Sequence, residues 1–166
     1  MSRITLIHAL RHSLPPIEAA FARDWPEAQL TNILDDSLAR DRAAAESIDE
    51  RITERFLTLG RYAASVGTDA ILFTCSAFRP CIEAVRADLA PLIVRGPYDA
   101  MITQATAIGG RIALLATFAP TLRTMPAEFP SSVEVEPIYV ESALSALNAG
   151  DPERHAAGGM ATCARR

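Results

Sequence analysis

The sequence contains no lysine, and all sixteen of its cationic residues are arginines. The formal net charge is −4, and the arginines are scattered among acidic residues instead of forming a basic stripe. Because nucleic-acid-binding proteins need such a stripe to neutralise phosphates, we expect no nucleic-acid partner.

Long apolar runs are also missing. The longest are strand-sized, such as residues 71–73 and 112–116, and none approaches the roughly 20 residues that cross a bilayer. The N-terminus enters a strand pattern directly, without the features of a secretory signal. We therefore expect no membrane partner and a cytoplasmic location.

Cysteine is scarce, with residues 75, 81 and 163 alone. Their spacing matches no zinc-ligand pattern, and in a reducing compartment they are expected to be thiols and not a disulfide framework. No glycine-rich phosphate loop follows the first strand, which argues against a nucleotide or flavin. The sequence predicts no cofactor and no metal.

Short apolar runs alternate with helical patterns along the chain, which is typical of parallel βαβ units. The fold class is therefore predicted to be α/β with parallel sheets. A single long helix is predicted from Asp41 to Val66. The predicted strands are Arg3–His8, Ala28–Leu34, Asp69–Thr74, Pro91–Arg95, Arg111–Thr117 and Val133–Val140.

The order of elements restarts after Gly109 and Gly110, which predicts two pseudo-symmetric lobes, residues 1–96 and 97–149. The second lobe is expected to be truncated, because nothing in it corresponds to the strand that ends at Cys75. Residues 150–166 lack apolar periodicity and are predicted to form a disordered tail. An unfinished sheet leaves an exposed strand edge, so we expect a homo-oligomer.

The segment around Cys75 is the most informative about function. A buried strand delivers Thr74, Cys75 and Ser76 to its carboxyl end, the edge where α/β sheets bind ligands. The hydroxyls and the free N–H groups of the next helix could hold a carboxylate. The helix favours a thiolate by only about 0.3–1 kcal/mol, so activation also needs hydrogen bonds or a cation. A buried, unreactive cysteine is the alternative.

Three other candidates are predicted to reach the same edge. His8 ends the first strand, Thr117 ends the fifth strand, and Thr121 follows one helical turn later. A structural histidine and capping threonines are the simpler interpretations of these positions.

Taken together, these segments resemble the aspartate/glutamate/hydantoin racemase superfamily over roughly residues 3–149. The Thr74-Cys75-Ser76 strand end with its following helix matches the family pattern. The stretch 110–121 resembles the family's glycine, apolar strand, Ala-Thr and Thr sequence, and residues 34–38 are similar to the hydantoin racemase subgroup.

The resemblance implies a cofactor-independent racemase or isomerase acting on a small amino acid, hydantoin or related carboxylate. Cys75 would remove the α-proton, and Thr74, Ser76, Thr117 and Thr121 would bind carboxylate, with His8 a further binding candidate at the edge. Family racemases use two cysteines, and the second has no counterpart here. A decarboxylase acting on arylmalonates, a non-catalytic small-ligand binder and a truncated inactive remnant therefore remain alternatives.

Overall fold

The structure, a computed structural model, describes residues 1–45, 47–151 and 153. The chain divides into two compact units, Met1–Ala100 and Met101–Arg166. Among the described residues, no helix combines the length and apolar character that a bilayer crossing requires. Most of the predicted tail, namely residue 152 and residues 154–166, lies outside the described residues.

The first unit is built on a four-stranded parallel sheet in the order β2-β1-β3-β4. Each predicted strand is present here, at most two residues shorter at either end than expected. The strands are β1 (Arg3–His8), β2 (Gln29–Leu34), β3 (Ala70–Phe73) and β4 (Ile93–Arg95). Its helices are α1 (Leu14–Asp24), α2 (Ser37–Ala44), α3 (Glu50–Ser65) and α4 (Arg79–Asp88).

The prediction of one helix from Asp41 to Val66 is wrong, because α2 ends at Ala44 and α3 begins at Glu50. Asp49 has extended backbone angles and accepts a hydrogen bond from the Ile52 N–H at 2.8 Å, so it caps a new helix. The apolar spacing of Ile48, Ile52 and Phe56 begins at the break itself, so periodicity carried no information about the segment before it.

An arginine fastens the two helices to each other. Arg55 of α3 donates to the carboxylates of Asp35, at 2.5 Å, and of Asp41, at 2.6 Å. It also lies 2.5 Å from the Ser37 hydroxyl at the start of α2. The segment that enters α2 is therefore held against α3 by charge-assisted hydrogen bonds.

The core of the first unit contains an aromatic cluster on one face of the sheet. The Phe56 ring stacks on Phe73 at a centroid distance of 5.2 Å and on Phe78 at 4.8 Å. Five of the six residues of β1 are buried, since this strand lies between β2 and β3. By contrast, α1 has no buried residue.

The second unit contains a two-stranded parallel sheet of β5 (Arg111–Ala116) and β6 (Glu134–Tyr139). Helix α5 (Asp99–Ile108) precedes it, α6 (Ala119–Thr124) connects the strands, and α7 (Glu141–Asn148) follows. The α/β class with parallel sheets is therefore confirmed. Both units begin their sheets with the order strand, helix, strand, helix.

Gly60 of α3 lies directly against Val85 of α4, and a side chain at this position should destabilise the unit. A Cβ at Gly60 would lie 2.6 Å from Val85 Cγ1. We expect Gly60→Ala to lower the free energy of unfolding by about 1–3 kcal/mol through overpacking. That loss exceeds the gain in helix propensity of about 1 kcal/mol.

The control is the same substitution in a Val85→Ala background, where the clash with Val85 is removed and only the flexible end of Leu89, at 3.3 Å, must shift slightly. There Gly60→Ala should raise the free energy of unfolding by about 0.5–1 kcal/mol, because the helix preference of alanine remains. Urea denaturation of the four proteins measures both changes. Equal stabilisation in both backgrounds would show that α3 and α4 are not in this contact.

Candidate functional site

The candidate site lies at the carboxyl end of β1 and β3 in the first unit. The Thr74 N–H donates to the Ile7 carbonyl at 3.0 Å, which continues the pairing of the two strands by one residue. Cys75 keeps an extended backbone, with φ −118° and ψ 125°, before a short 3₁₀ turn, Ser76–Phe78, leads into α4. This is the edge at which open parallel sheets bind ligands.

Thr74 and Cys75 face opposite sides of the sheet, because consecutive side chains of an extended strand alternate. Thr74 meets His8, whereas Cys75 borders an apolar void against the aromatic core. The void is too small to admit a water molecule, and it is lined by Ile7, His8, Ala9, Leu38, Phe56, Phe73 and Cys75. Thr74 and Cys75, which the sequence predicts to belong to one binding site, therefore lie in two different environments.

The thiol of Cys75 is held in its neutral form. Burial raises the pKa of Cys75 from its ordinary value near 9 to about 11, and a hydrogen bond from the Ala77 backbone partly offsets that rise. Cys75 is nevertheless only partly buried. At pH 7, about four units below this pKa, Cys75 is a thiolate in only about one molecule in ten thousand. The neutral thiol can donate a proton.

Arg42 supports the turn that follows Cys75. It is 2% exposed, and its Nε donates to the Ala77 carbonyl at 3.4 Å while Nη1 donates to the Ala45 carbonyl at 3.1 Å. Sequence reasoning missed this residue. The sequence feature that could have revealed Arg42 is its position four residues after the apolar Leu38, which places both side chains on the same, inner face of α2.

His8 is fully buried and is the centre of a polar network. Its Nδ1 lies 2.8 Å from Thr74 Oγ1 and 3.0 Å from Ser13 Oγ. Its Nε2 lies 3.0 Å from Asn32 Oδ1, and Asn32 in turn donates to Glu18 at 2.7 Å. The structure therefore brings His8 and Thr74 together, two residues that the sequence had placed at one edge.

Burial lowers the pKa of His8 below its ordinary value of 6.5. The hydrogen bond to Asn32 and the charge of Glu18 act in the opposite direction. The imidazole is therefore neutral at pH 7, and the two proton-carrying side chains at this edge, His8 and Cys75, are both uncharged.

Asn32 and Glu18 were not predicted as site residues. Asn32 pairs in register with Leu6, so its side chain lies on the same sheet face as His8. The sequence feature that could have revealed Asn32 is its place between Leu30 and Leu34, where the alternation of apolar and polar residues in a strand predicts an apolar residue.

The remaining predicted site residues are Ser76, Thr117 and Thr121. Ser76 opens the 3₁₀ turn after Cys75. Thr117 follows β5 and is partly buried, and Thr121 is 3% exposed in α6 with its N–H donating to the Phe118 carbonyl at 3.0 Å. Both threonines belong to the second unit.

Within the part of the chain that the structure describes, no three His, Cys, Asp or Glu side chains are grouped so that they could hold a metal ion. In comparisons with known proteins, no family model, curated protein or solved structure matches the chain.

We expect the alkylation rate of Cys75 to become appreciable only at high pH, because its pKa is raised. Only the thiolate is alkylated, so the rate with iodoacetamide should increase about tenfold per pH unit until the pH approaches 11. At pH 8 the rate should be about a hundredfold below that of a free thiol, since the two pKa values differ by 11 − 9, or two units.

Mass spectrometry of a Cys163→Ser variant would assign the label to Cys75 or to the buried Cys81. The same protein unfolded in urea provides the control, since its thiols regain their ordinary pKa. A rate for Cys75 that levels off at or below pH 9 in the folded protein would contradict the raised pKa.

Proposed function

We propose that this protein catalyses cofactor-independent proton transfer at the α-carbon of a small amino acid, hydantoin or related carboxylate, and that Cys75 carries the proton. The observation that carries the proposal is a partly exposed cysteine residue, with its thiol uncharged at neutral pH, at the carboxyl end of a central parallel strand. The resemblance of residues 74–76 and 110–121 to the aspartate/glutamate/hydantoin racemase superfamily agrees with this chemistry.

Racemisation with one cysteine requires the thiolate. The thiolate takes the α-proton, the electron pair passes into an enolate, and the enolate must turn over in the site before the same thiol can return the proton to the opposite face of the carbon. The Ala77 backbone hydrogen bond stabilises the thiolate when it forms. Ser76, in the turn that follows Cys75, remains a candidate donor to the substrate carboxylate.

Decarboxylation of an arylmalonate is the second candidate, and the raised pKa of Cys75 favours it. Loss of CO₂ leaves the bonding electron pair on the α-carbon, and a neutral thiol can supply the proton that this carbon needs. The thiolate then recovers a proton from water. This reaction uses Cys75 in the protonation state that it has at rest, and it needs no second acid or base.

A non-catalytic small-ligand binder, or an inactive remnant, is the third candidate. The observation in its favour is the void beside Cys75, which does not admit a water molecule and is lined largely by apolar side chains. For either catalytic proposal, a substrate must reach Sγ from the exposed part of Cys75 or displace these side chains.

Reaction rates as a function of pH distinguish the three candidates. Exchange of the α-hydrogen in D₂O and release of CO₂ would be measured for aspartate, glutamate, hydantoins and arylmalonates. If the thiolate is the base, exchange should rise about tenfold per unit between about pH 7 and pH 10, because the pKa of Cys75 is about 11. If the thiol is the acid, CO₂ release should be independent of pH over the same range.

Cys75→Ala should abolish either activity, whereas Cys81→Ala, which removes the buried thiol of α4, should retain it. Far-ultraviolet circular dichroism would verify that each variant is folded. An activity that survives in Cys75→Ala would exclude this residue as the proton carrier. Absence of both activities from the folded wild-type protein would favour the binder or remnant.

A further inference from the structure

The backbone of β5 and β6 defines which residues face the outer edges of the small sheet in the second unit. The Val140 N–H donates to the Ala116 carbonyl at 3.0 Å, so both groups point between the strands. Successive residues of a strand direct their backbone groups to alternate sides. Ala113 and Leu115 of β5 therefore direct their N–H and C=O groups away from β6. By the same alternation, the backbone of Pro137 on β6 faces away from β5.

The outer edge of β6 is protected against further pairing. Proline has no N–H to donate, and Pro137 stands where such a donor would face a neighbouring strand. An outward-facing proline is one of the devices by which edge strands avoid pairing with other chains. Pro137 is exposed, and Glu134 and Glu136 add negative charge to the same strand.

The outer edge of β5 carries none of these devices. Among the described residues β5 pairs only with β6, and its exposed residue Ala113 has a small side chain. From Ile112 to Ala116 the strand contains neither a charge nor a proline. Its one charge, on Arg111, is bound by Glu136 Oε2 at 2.7 Å. An apolar edge with unpaired N–H and C=O groups is a template for another strand.

We infer that β5 pairs in antiparallel orientation with the β5 of a second copy of this chain, about a two-fold axis at Ala113. In this register Ala113 lies opposite its own counterpart, and Arg111 lies opposite Leu115 of the second copy. Each of these outward-facing residues then exchanges both backbone hydrogen bonds with the residue opposite. The product is a continuous sheet with the strand order β6-β5-β5-β6.

Charge and apolar character favour a second copy as the occupant and antiparallel as the orientation. Antiparallel pairing separates the two Arg111 residues by the length of strand from 111 to 115, roughly 13 Å, which exceeds the screening length in physiological salt. Parallel pairing would place them side by side. In the antiparallel register, the partly buried Ile112 lies opposite Leu114 of the second copy, so apolar side chains meet across the pair.

The protected edge of β6 limits this assembly to two copies. Pairing uses the β5 edge of both copies, and a contact about a two-fold axis is closed. The two edges that remain both belong to β6 and both carry Pro137. The expected product is therefore a dimer and not a fibre.

Sedimentation equilibrium of the wild-type chain and of Ala113→Pro tests the inference. The wild type should show a monomer–dimer equilibrium with a dissociation constant below about 1 mM, since one pair of short strands is a small interface. Ala113→Pro removes the outward N–H from both copies and leaves the N–H groups that bond to β6. It should weaken dimerisation about a hundredfold, or about tenfold for each hydrogen bond lost.

Val135→Pro is the matched control. Val135 lies two residues before Pro137 on β6, so its N–H also faces outwards, and the substitution makes the same change on the other edge of the same sheet. This variant should dimerise like the wild type. Circular dichroism of both variants would verify that they are folded.

Amide hydrogen exchange of the wild-type chain tests the same contact without a substitution. The Ala113 and Leu115 amides should exchange at least about tenfold more slowly in the dimer than in the dilute monomer, because pairing protects them. The Val135 and Tyr139 amides face the outer edge of β6 and should exchange at the same rate at both concentrations.

A wild-type chain that stays monomeric up to about 1 mM would overturn the inference. So would a dimer that Ala113→Pro leaves unchanged, or one that Val135→Pro weakens equally. Protection of the Ala113 amide that does not depend on concentration would show that the edge is covered within one chain, which would also overturn it.

Discussion

The parallel pairing of β1 with β3 is the constraint on which the candidate site depends. Ile7 lies opposite Phe73 in this register, so the next residues, His8 and Thr74, meet at the carboxyl edge. Cys75, one position further, turns to the opposite face. A slip of one residue would exchange the two faces and would place the thiol beside the imidazole.

The two faces of the sheet provide different surroundings for Cys75 and for His8. The aromatic side surrounds Cys75 with side chains that cannot stabilise a charge, and its pKa rises. The other side surrounds His8 with hydrogen-bonding partners, which make the burial of a polar ring tolerable. Burial lowers the pKa of His8, so at rest the edge holds an uncharged acid and an uncharged base.

Arginine provides much of the support around this edge. Arg55 holds the entry of α2 against α3, and Arg42 reaches from α2 to the Ala77 carbonyl in the turn after Cys75. Each uses the several donors of a guanidinium group to join segments that are distant in sequence. The position of the turn therefore depends on the helix break at Asp49 as well as on the strand before it.

The sequence by itself determined the parallel α/β class, the six strands and the position of Cys75 after a buried strand, because apolar periodicity is a local property. It did not reveal the break at Asp49, since the apolar spacing begins only at Ile48 and gives no information about the residues before it. Tertiary structure alone decided that Asn32 reaches His8, 24 residues away in the sequence, and that Glu18 reaches Asn32, 14 residues away. Strand order determines which side chains are in contact, and burial away from water determines the direction of the pKa shifts. Strand order and burial both depend on how segments that are distant in the sequence pack together.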